Sequence, residues 1–200
     1  MQRPDLARVL IALVEEDRRV RARLAADGAL FDGYHPEMEA VHRANAARLR
    51  MVMHEVGWPG EGLVSKKAAE AAWTVAQHAI GEPAFQREVL GLVAQAVTAG
   101  EAPAWQAAYL EDRIRSFEGR PQRYGTQYDW DDAGHLSPWP SVEDPEGVDE
   151  RRAAVGLGPL AANTARMRAA VAAEGEGPPA DPAARRREAE AWARRVGWRR

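Results

Sequence analysis

Two hundred residues are enough for one domain with a real core, or for one domain and a tail. With 46% hydrophobic and 28% charged residues the composition is that of an ordinary globular chain, and a net charge of −3 excludes a global pull toward nucleic acid or membrane. The absence of cysteine excludes disulfides, a thiolate nucleophile and any Cys-ligated zinc or cluster. No apolar run approaches the ~20 residues that span a bilayer. The N-terminus lacks the charged, apolar and cleavage segments of a secretory signal, so the chain reads as cytoplasmic.

Residues 5–26 are expected to form the first helix, with Asp5 as N-cap and a stripe of Leu6, Val9, Leu10, Leu13, Val20 and Leu24. Asp17 interrupts that stripe. Gly28 and Gly33 punctuate the loop that follows. The second helix, 36–56, opens on Pro36 and carries Met38, Val41, Leu49, Val52 and Val56, with Asn45 in the slot between Val41 and Leu49. A third starts after Ser65, taken as its N-cap, and runs through Trp73 and Ala76 to Ile80, with Gln77 one turn beyond Trp73. His78 sits about 100° around from Gln77, in the last turn, where the helix dipole favours imidazolium.

Gly81-Glu82-Pro83 restarts the chain as a fourth helix on Phe85, Val89, Leu92, Val93 and Ala96, closed by Gly100. Pro103 opens the fifth, which runs to about Phe117 and places Asp112 beside Trp105, Ala108 and Tyr109. From Gln122 to Val142 the residues favour a small β hairpin or ordered loop, turning at Asp131-Asp132-Ala133-Gly134, with Pro138 and Pro140 confining the return to an edge. Gly125 suggests close backbone approach or a positive φ. Short helices follow from Val148 and from Pro159, then a linker and an Ala/Arg-rich helix over 182–196. The fold is therefore expected to be mainly α. About five long helices form a bundle, residues 1–173 make a single domain, and residues 174–200 are a linker and Arg-rich tail whose helix end is solvated.

Asp17, Asn45, Gln77 and Asp112 each break the core stripe of a different helix. A buried polar side chain costs ~1–3 kcal/mol unless satisfied, and an unpaired charge costs more. Such groups are either locally paired or converge with one another, with Arg21 or Arg113, or on a ligand. If they serve one site, that site also takes His78 and the Q-R-Y-G-T-Q segment. Gln122, Tyr124, Thr126 and Gln127 then act as ligand-binding groups with Asp17, Asn45, Gln77 and Arg113. Arg151, Arg152 and Val155 to Leu157 are expected to hold that segment closed, with Trp130 or Trp139 as a lid.

Familiar signatures fail. His35, His42, His54, His78 and His135 lack ligand spacing, so neither a metal nor another cofactor is expected. Residues 60–66 lack the glycine that a phosphate-binding loop needs before Lys66, and no G-x-S-x-G is present.

The ordered set Asp17, Asn45, G-W-P (57–59), W-x-x-x-Q-H-A (73–79), A-Y-L-E-D-R (108–113), Q-R-Y-G-T-Q (122–127) and V-D-E-R-R-x-x-V-G-L (148–157) resembles a bacterial family of uncharacterised small proteins, a domain of unknown function. The resemblance spans roughly 5–173 and implies a shared site without naming an activity. Two functional classes remain. One is a small acid–base enzyme acting on a polar, anionic or amide-bearing molecule, with His78 as the proton carrier and Asp112 or Asp17 orienting it. The other is a ligand- or partner-binding regulatory module built from the same groups. Neither needs a membrane or a nucleic acid.

Overall fold

The computed structural model describes residues 2–28, 34–131, 133–175 and 177–200. Gly33 of the first loop, Asp132 of the expected hairpin turn and Glu176 of the expected linker lie outside them. The chain is mainly helical and groups into two compact units, Met1–Ala102 and Pro103–Arg200.

The first unit holds α1 (Pro4–Ala26), α2 (Pro36–Val56), the single turn α3 (Glu61–Val64), α4 (Lys66–His78) and α5 (Pro83–Thr98). On α1 the buried stripe is Leu6, Leu10, Val14, Asp17, Val20 and Leu24. Val14 takes the place expected of Leu13, which with Val9 stands half-buried. On α2 the buried set is Met38, Asn45, Ala46, Leu49, Val52 and Met53. The α4 face that packs is nearly all alanine, with Ala68, Ala72 and Ala76 fully buried. Small side chains let helix axes approach closely, and α1 and α2 both pack against α4. Two expected caps differ. Pro4 starts α1 ahead of Asp5, and Ser65 takes φ +92° with no side-chain cap on α4. α2 has a cap the sequence hid, His35 Nδ1 accepting from the Glu37 amide at 3.2 Å.

α4 ends where it does because α5 terminates it. Gln86, wholly buried on α5, donates through Nε2 to the carbonyls of Ala76 (2.8 Å) and Gln77 (3.3 Å). Those are C-terminal carbonyls that a helix end leaves without intrahelical partners. The same bonds fix the backbone immediately before His78.

The second unit begins with α6 (Ala104–Glu118), which buries Gln106, Ala108, Leu110, Asp112 and Ile114 and closes on Gly119. A small antiparallel hairpin follows, β1 (Tyr128–Trp130) with β2 (Leu136–Pro138), in the register Tyr128 to Pro138 and Trp130 to Leu136. Asp131 makes its turn, Oδ1 accepting from the amides of Ala133 (3.0 Å) and His135 (2.8 Å). Then come α7 (Val148–Ala154), α8 (Leu160–Ala173) and α9 (Pro182–Val196). α8 is tied to the hairpin by Arg168 Nε donating to the Leu136 carbonyl (2.8 Å) and by the Thr164 and Tyr128 hydroxyls (2.9 Å). The Arg-rich C-terminus is not a wholly solvated end. Ala193 and Trp198 are buried, and Trp198 stacks on Phe117 at 5.2 Å.

Gly125 combines a left-handed backbone with a crowded Cβ site. Its φ is +65°, and a Cβ there would lie 2.8 Å from Leu160 Cδ1 and 3.1 Å from Val142 Cγ2. Both pressures act on Gly125→Ala, so it should lose about 1–3 kcal/mol. At roughly 2–4 °C per kcal/mol for a chain of this size, a thermal melt reads the loss directly. An unchanged melting temperature would show that the loop relaxes freely.

Candidate functional site

The polar residues singled out in the sequence fall into two sets. Asp17, Asn45, Gln77 and His78 belong to the first unit, and Asp112, Arg113, Gln122, Tyr124, Thr126 and Gln127 to the second.

In the first unit Asp17 is the organising group. It faces inward from α1 with 2% of its side chain exposed, because its neighbours on the stripe, Val14 and Val20, are core residues. Its Oδ2 lies 2.7 Å from His78 Nδ1, on the last residue of α4. The same oxygen lies 3.1 Å from His42 Nε2, on α2. The other His42 nitrogen, Nδ1, is 2.8 Å from the Tyr34 hydroxyl, and the two rings stack at 5.7 Å. Asn45, one turn from His42, spans α2 to α1 by donating to the Leu13 carbonyl at 3.0 Å. It braces the pair of helices that carry the cluster.

Only the His78 contact is a well-formed hydrogen bond. His42 Nε2 is near enough, yet among the described residues it and Asp17 Oδ1 are both buried without a hydrogen-bond partner. The His42 approach to Oδ2 is thus a close electrostatic contact. Burial pushes the Asp17 carboxyl up, but His42 and His78 outweigh it and hold the carboxyl below its ordinary range. Burial, with Glu39 and Asp17 adding to it, pushes the Tyr34 phenol up, so it keeps its proton. The His78 side chain is 37% exposed and His42 only 11%. Beside His42 lies a cleft lined by Tyr34, Glu39, Arg43, Ala79 and Glu82, with no room for a water-sized molecule among the described residues.

In the second unit the Q-R-Y-G-T-Q segment wraps around Asp112. Oδ1 accepts from the amides of Arg123 (2.7 Å) and Tyr124 (3.1 Å), and Oδ2 from the Thr126 amide and hydroxyl, both at 3.0 Å. Even so, burial holds this carboxyl above its ordinary range. Gln122, wholly buried, uses both ends of its amide on backbone: Nε2 to the carbonyls of Gln127 (2.9 Å) and Pro140 (3.0 Å), Oε1 from the Gln127 amide (2.8 Å). Gln127 in turn accepts from Arg113 Nε at 3.1 Å and donates to the Thr126 hydroxyl at 3.0 Å. Desolvation pulls the Arg113 guanidinium down to about 10, still a cation at neutral pH. From α7, Arg151 Nε reaches the Arg123 carbonyl (2.9 Å) and Arg152 Nη1 the Tyr124 carbonyl (2.6 Å), so these arginines do hold the segment. Trp130 and Trp139 line a separate cavity of about 360 Å³ in this unit, where Arg186 lies 4.6 Å over the Trp139 ring.

Of the two carboxylates the sequence offered to His78, Asp17 is the one bonded to it. His42 was missed. The reading that no histidines have ligand spacing holds along the chain and fails in space, where His42 and His78 meet on Asp17. One signal was available: His42 is three residues before Asn45, which puts both along one edge of α2. Tyr34, in the loop before that helix, carried no periodic signal at all.

A model of a family of unknown function, DUF6624, matches residues 4–173, and the chain belongs to that family. No curated protein and no solved structure matches it. The match ends with α8, so α9 and the buried Trp198 that follows it lie beyond it. Among the described residues no helix is long and apolar enough to cross a membrane.

Proposed function

We propose that this member of the DUF6624 family is an acid–base enzyme acting on a small polar substrate, with His78 as its proton carrier and Asp17 as the orienting carboxylate. The observation that carries the reading is the 2.7 Å contact between His78 Nδ1 and Asp17 Oδ2, on a ring still 37% exposed. A carboxylate at Nδ1 fixes the tautomer and steadies the imidazolium. Nε2 is left as the nitrogen that exchanges a proton with substrate. The burial of Asp17 keeps the pair aligned, and Gln86 fixes the helix end that presents the ring. In this reading Asp112 anchors the Q-R-Y-G-T-Q segment, with Arg113 and the glutamines in the same supporting role.

A second reading is a binding module, in which the same ring fixes a ligand or partner peptide and nothing reacts. The cleft beside His42 has no room for a water-sized molecule among the described residues, so such a ligand engages His78 from its solvent-exposed side. A panel of chromogenic esters, amides and phosphate esters, run on the intact chain and on His78→Gln, separates the two. Turnover that falls by about 10²–10⁴ in the variant supports the enzyme. Turnover that survives His78→Gln ends that reading. Nitrogen NMR of the imidazoles adds a check that needs no substrate. His78 should be locked as the Nδ1–H tautomer and released in Asp17→Asn.

A further inference from the structure

We infer that Asp17, His42 and His78 form a binding site for one divalent first-row transition-metal ion. The ligand atoms come from three helices, α1, α2 and the end of α4, and all lie within 4.8 Å of one another. Two imidazole nitrogens and a carboxylate oxygen suit zinc and its neighbours better than the all-oxygen shells of magnesium or calcium. Atoms bonded to one such ion at ~2.0–2.2 Å lie roughly 3–3.5 Å apart. The two nitrogen–Oδ2 separations, 2.7 Å and 3.1 Å, are near that scale, and the whole set lies within 4.8 Å.

Two observations point to an ion rather than to hydrogen bonding alone. Asp17 Oδ1 and His42 Nε2 are both buried without a hydrogen-bond partner among the described residues. Burying such atoms is costly, and a cation would satisfy His42 Nε2 directly and Asp17 Oδ1 where the carboxylate binds through both oxygens. Tyr34 stands on the far nitrogen of His42 at 2.8 Å, where a ligating histidine ordinarily donates its second N–H to fix its orientation. The wider charge agrees. Arg43 is paired with Glu39 and Glu82, each at 3.0 Å, so the cluster's own carboxylate is left to favour a dication. The cleft too small for water rules out an organic ligand on that side, and of the three ligand residues His78, at 37% exposed, is the one that reaches solvent. Three protein ligands with open positions are the arrangement of a reactive metal rather than a purely structural one.

The site goes beyond the acid–base reading and does not depend on it. In the metal-free chain a proton holds His78 to Asp17. An ion that takes Nδ1 and the carboxylate releases that proton to solvent. The test uses the full chain stripped with chelator and titrated with zinc chloride by calorimetry, and with cobalt chloride by its visible absorption. One ion per chain is expected, with a tetrahedral or five-coordinate cobalt spectrum. His42→Ala, His78→Ala and Asp17→Ala should each weaken binding at least tenfold, and Tyr34→Phe by roughly tenfold, the lower end of what lost outer-shell bonds do. His35→Ala and His54→Ala, outside the cluster, should leave it unchanged. Where Asp17→Ala unfolds by circular dichroism, the two histidine variants decide. No saturable binding, or binding that survives both histidine variants, overturns the site. Neither result affects the chelated-state NMR of the His78 tautomer, so failure of the metal site and failure of the Asp17–His78 pair remain distinguishable.

Discussion

Replacing Asp112 with alanine should cost about 3–5 kcal/mol in urea denaturation, more than any exposed substitution in the chain. The carboxylate is fully buried and accepts from three backbone amides and one hydroxyl of the segment that follows α6. Alanine leaves all four donors without an acceptor. An orphaned buried donor costs ~1–3 kcal/mol, and partial hydration of the opened loop recovers some of the sum. Asp112→Asn keeps the shape but turns one end of the side chain into a donor facing donors, so it should recover less than half of the loss. Glu111→Ala is the control. Its ion pairs with Arg115 and Arg123 are long, at 3.3 and 3.6 Å, and such pairs contribute at most ~1 kcal/mol. A loss under 1 kcal/mol for Asp112→Ala would mean that the loop does not depend on its anchor.

Why a dense polar motif is an anchored loop rather than an open array of binding groups explains what the sequence could reveal. The helices were legible because apolar residues at helical spacing leave few alternatives, and α2 falls on its expected residues. The polar breaks in those stripes were also legible as buried groups: Asp17, Asn45, Gln77 and Asp112 are all buried. Their partners were not. Asn45 bonds to a backbone carbonyl and Asp112, apart from the Thr126 hydroxyl, to backbone amides, and amides and carbonyls belong to every residue, so side-chain identity carries little trace of them. Gln122 was expected among the ligand-binding groups, and both ends of its amide bond to backbone. Asp17 is the exception, because its partners are side chains. Even there His42 was hidden, since helix packing sets which residues meet across α1, α2 and α4, and no local spacing encodes it. Gly125 was the clearest local signal, because a positive φ and a crowded Cβ site both demand glycine whatever lies around them.

The stability held in the Asp17 cluster should be lost on the acid side, in a way that identifies its source. The folded carboxyl is held below its ordinary range by His42 and His78, despite burial. A carboxyl whose pKa is depressed by folding contributes stability that is complete above its unfolded value, ~3.9, and disappears as pH falls from there through the folded value. Wild type and Asp17→Asn, both kept in chelator, are compared by urea midpoints between pH 5 and pH 3. Other carboxylates titrate in both proteins, so their contributions cancel in the difference. At pH 5 the gap should be about 1.5–3 kcal/mol, the range for hydrogen bonds to a charged group. Below pH 4 it should narrow. His78→Gln removes the better-formed of the two contacts, so the folded carboxyl rises toward its unfolded value, and the acid loss in that variant should be smaller and end at higher pH than in wild type. A gap that stays constant to pH 3 would mean that Asp17 is not held ionised by the two imidazoles. The orienting carboxylate would then have to be sought elsewhere.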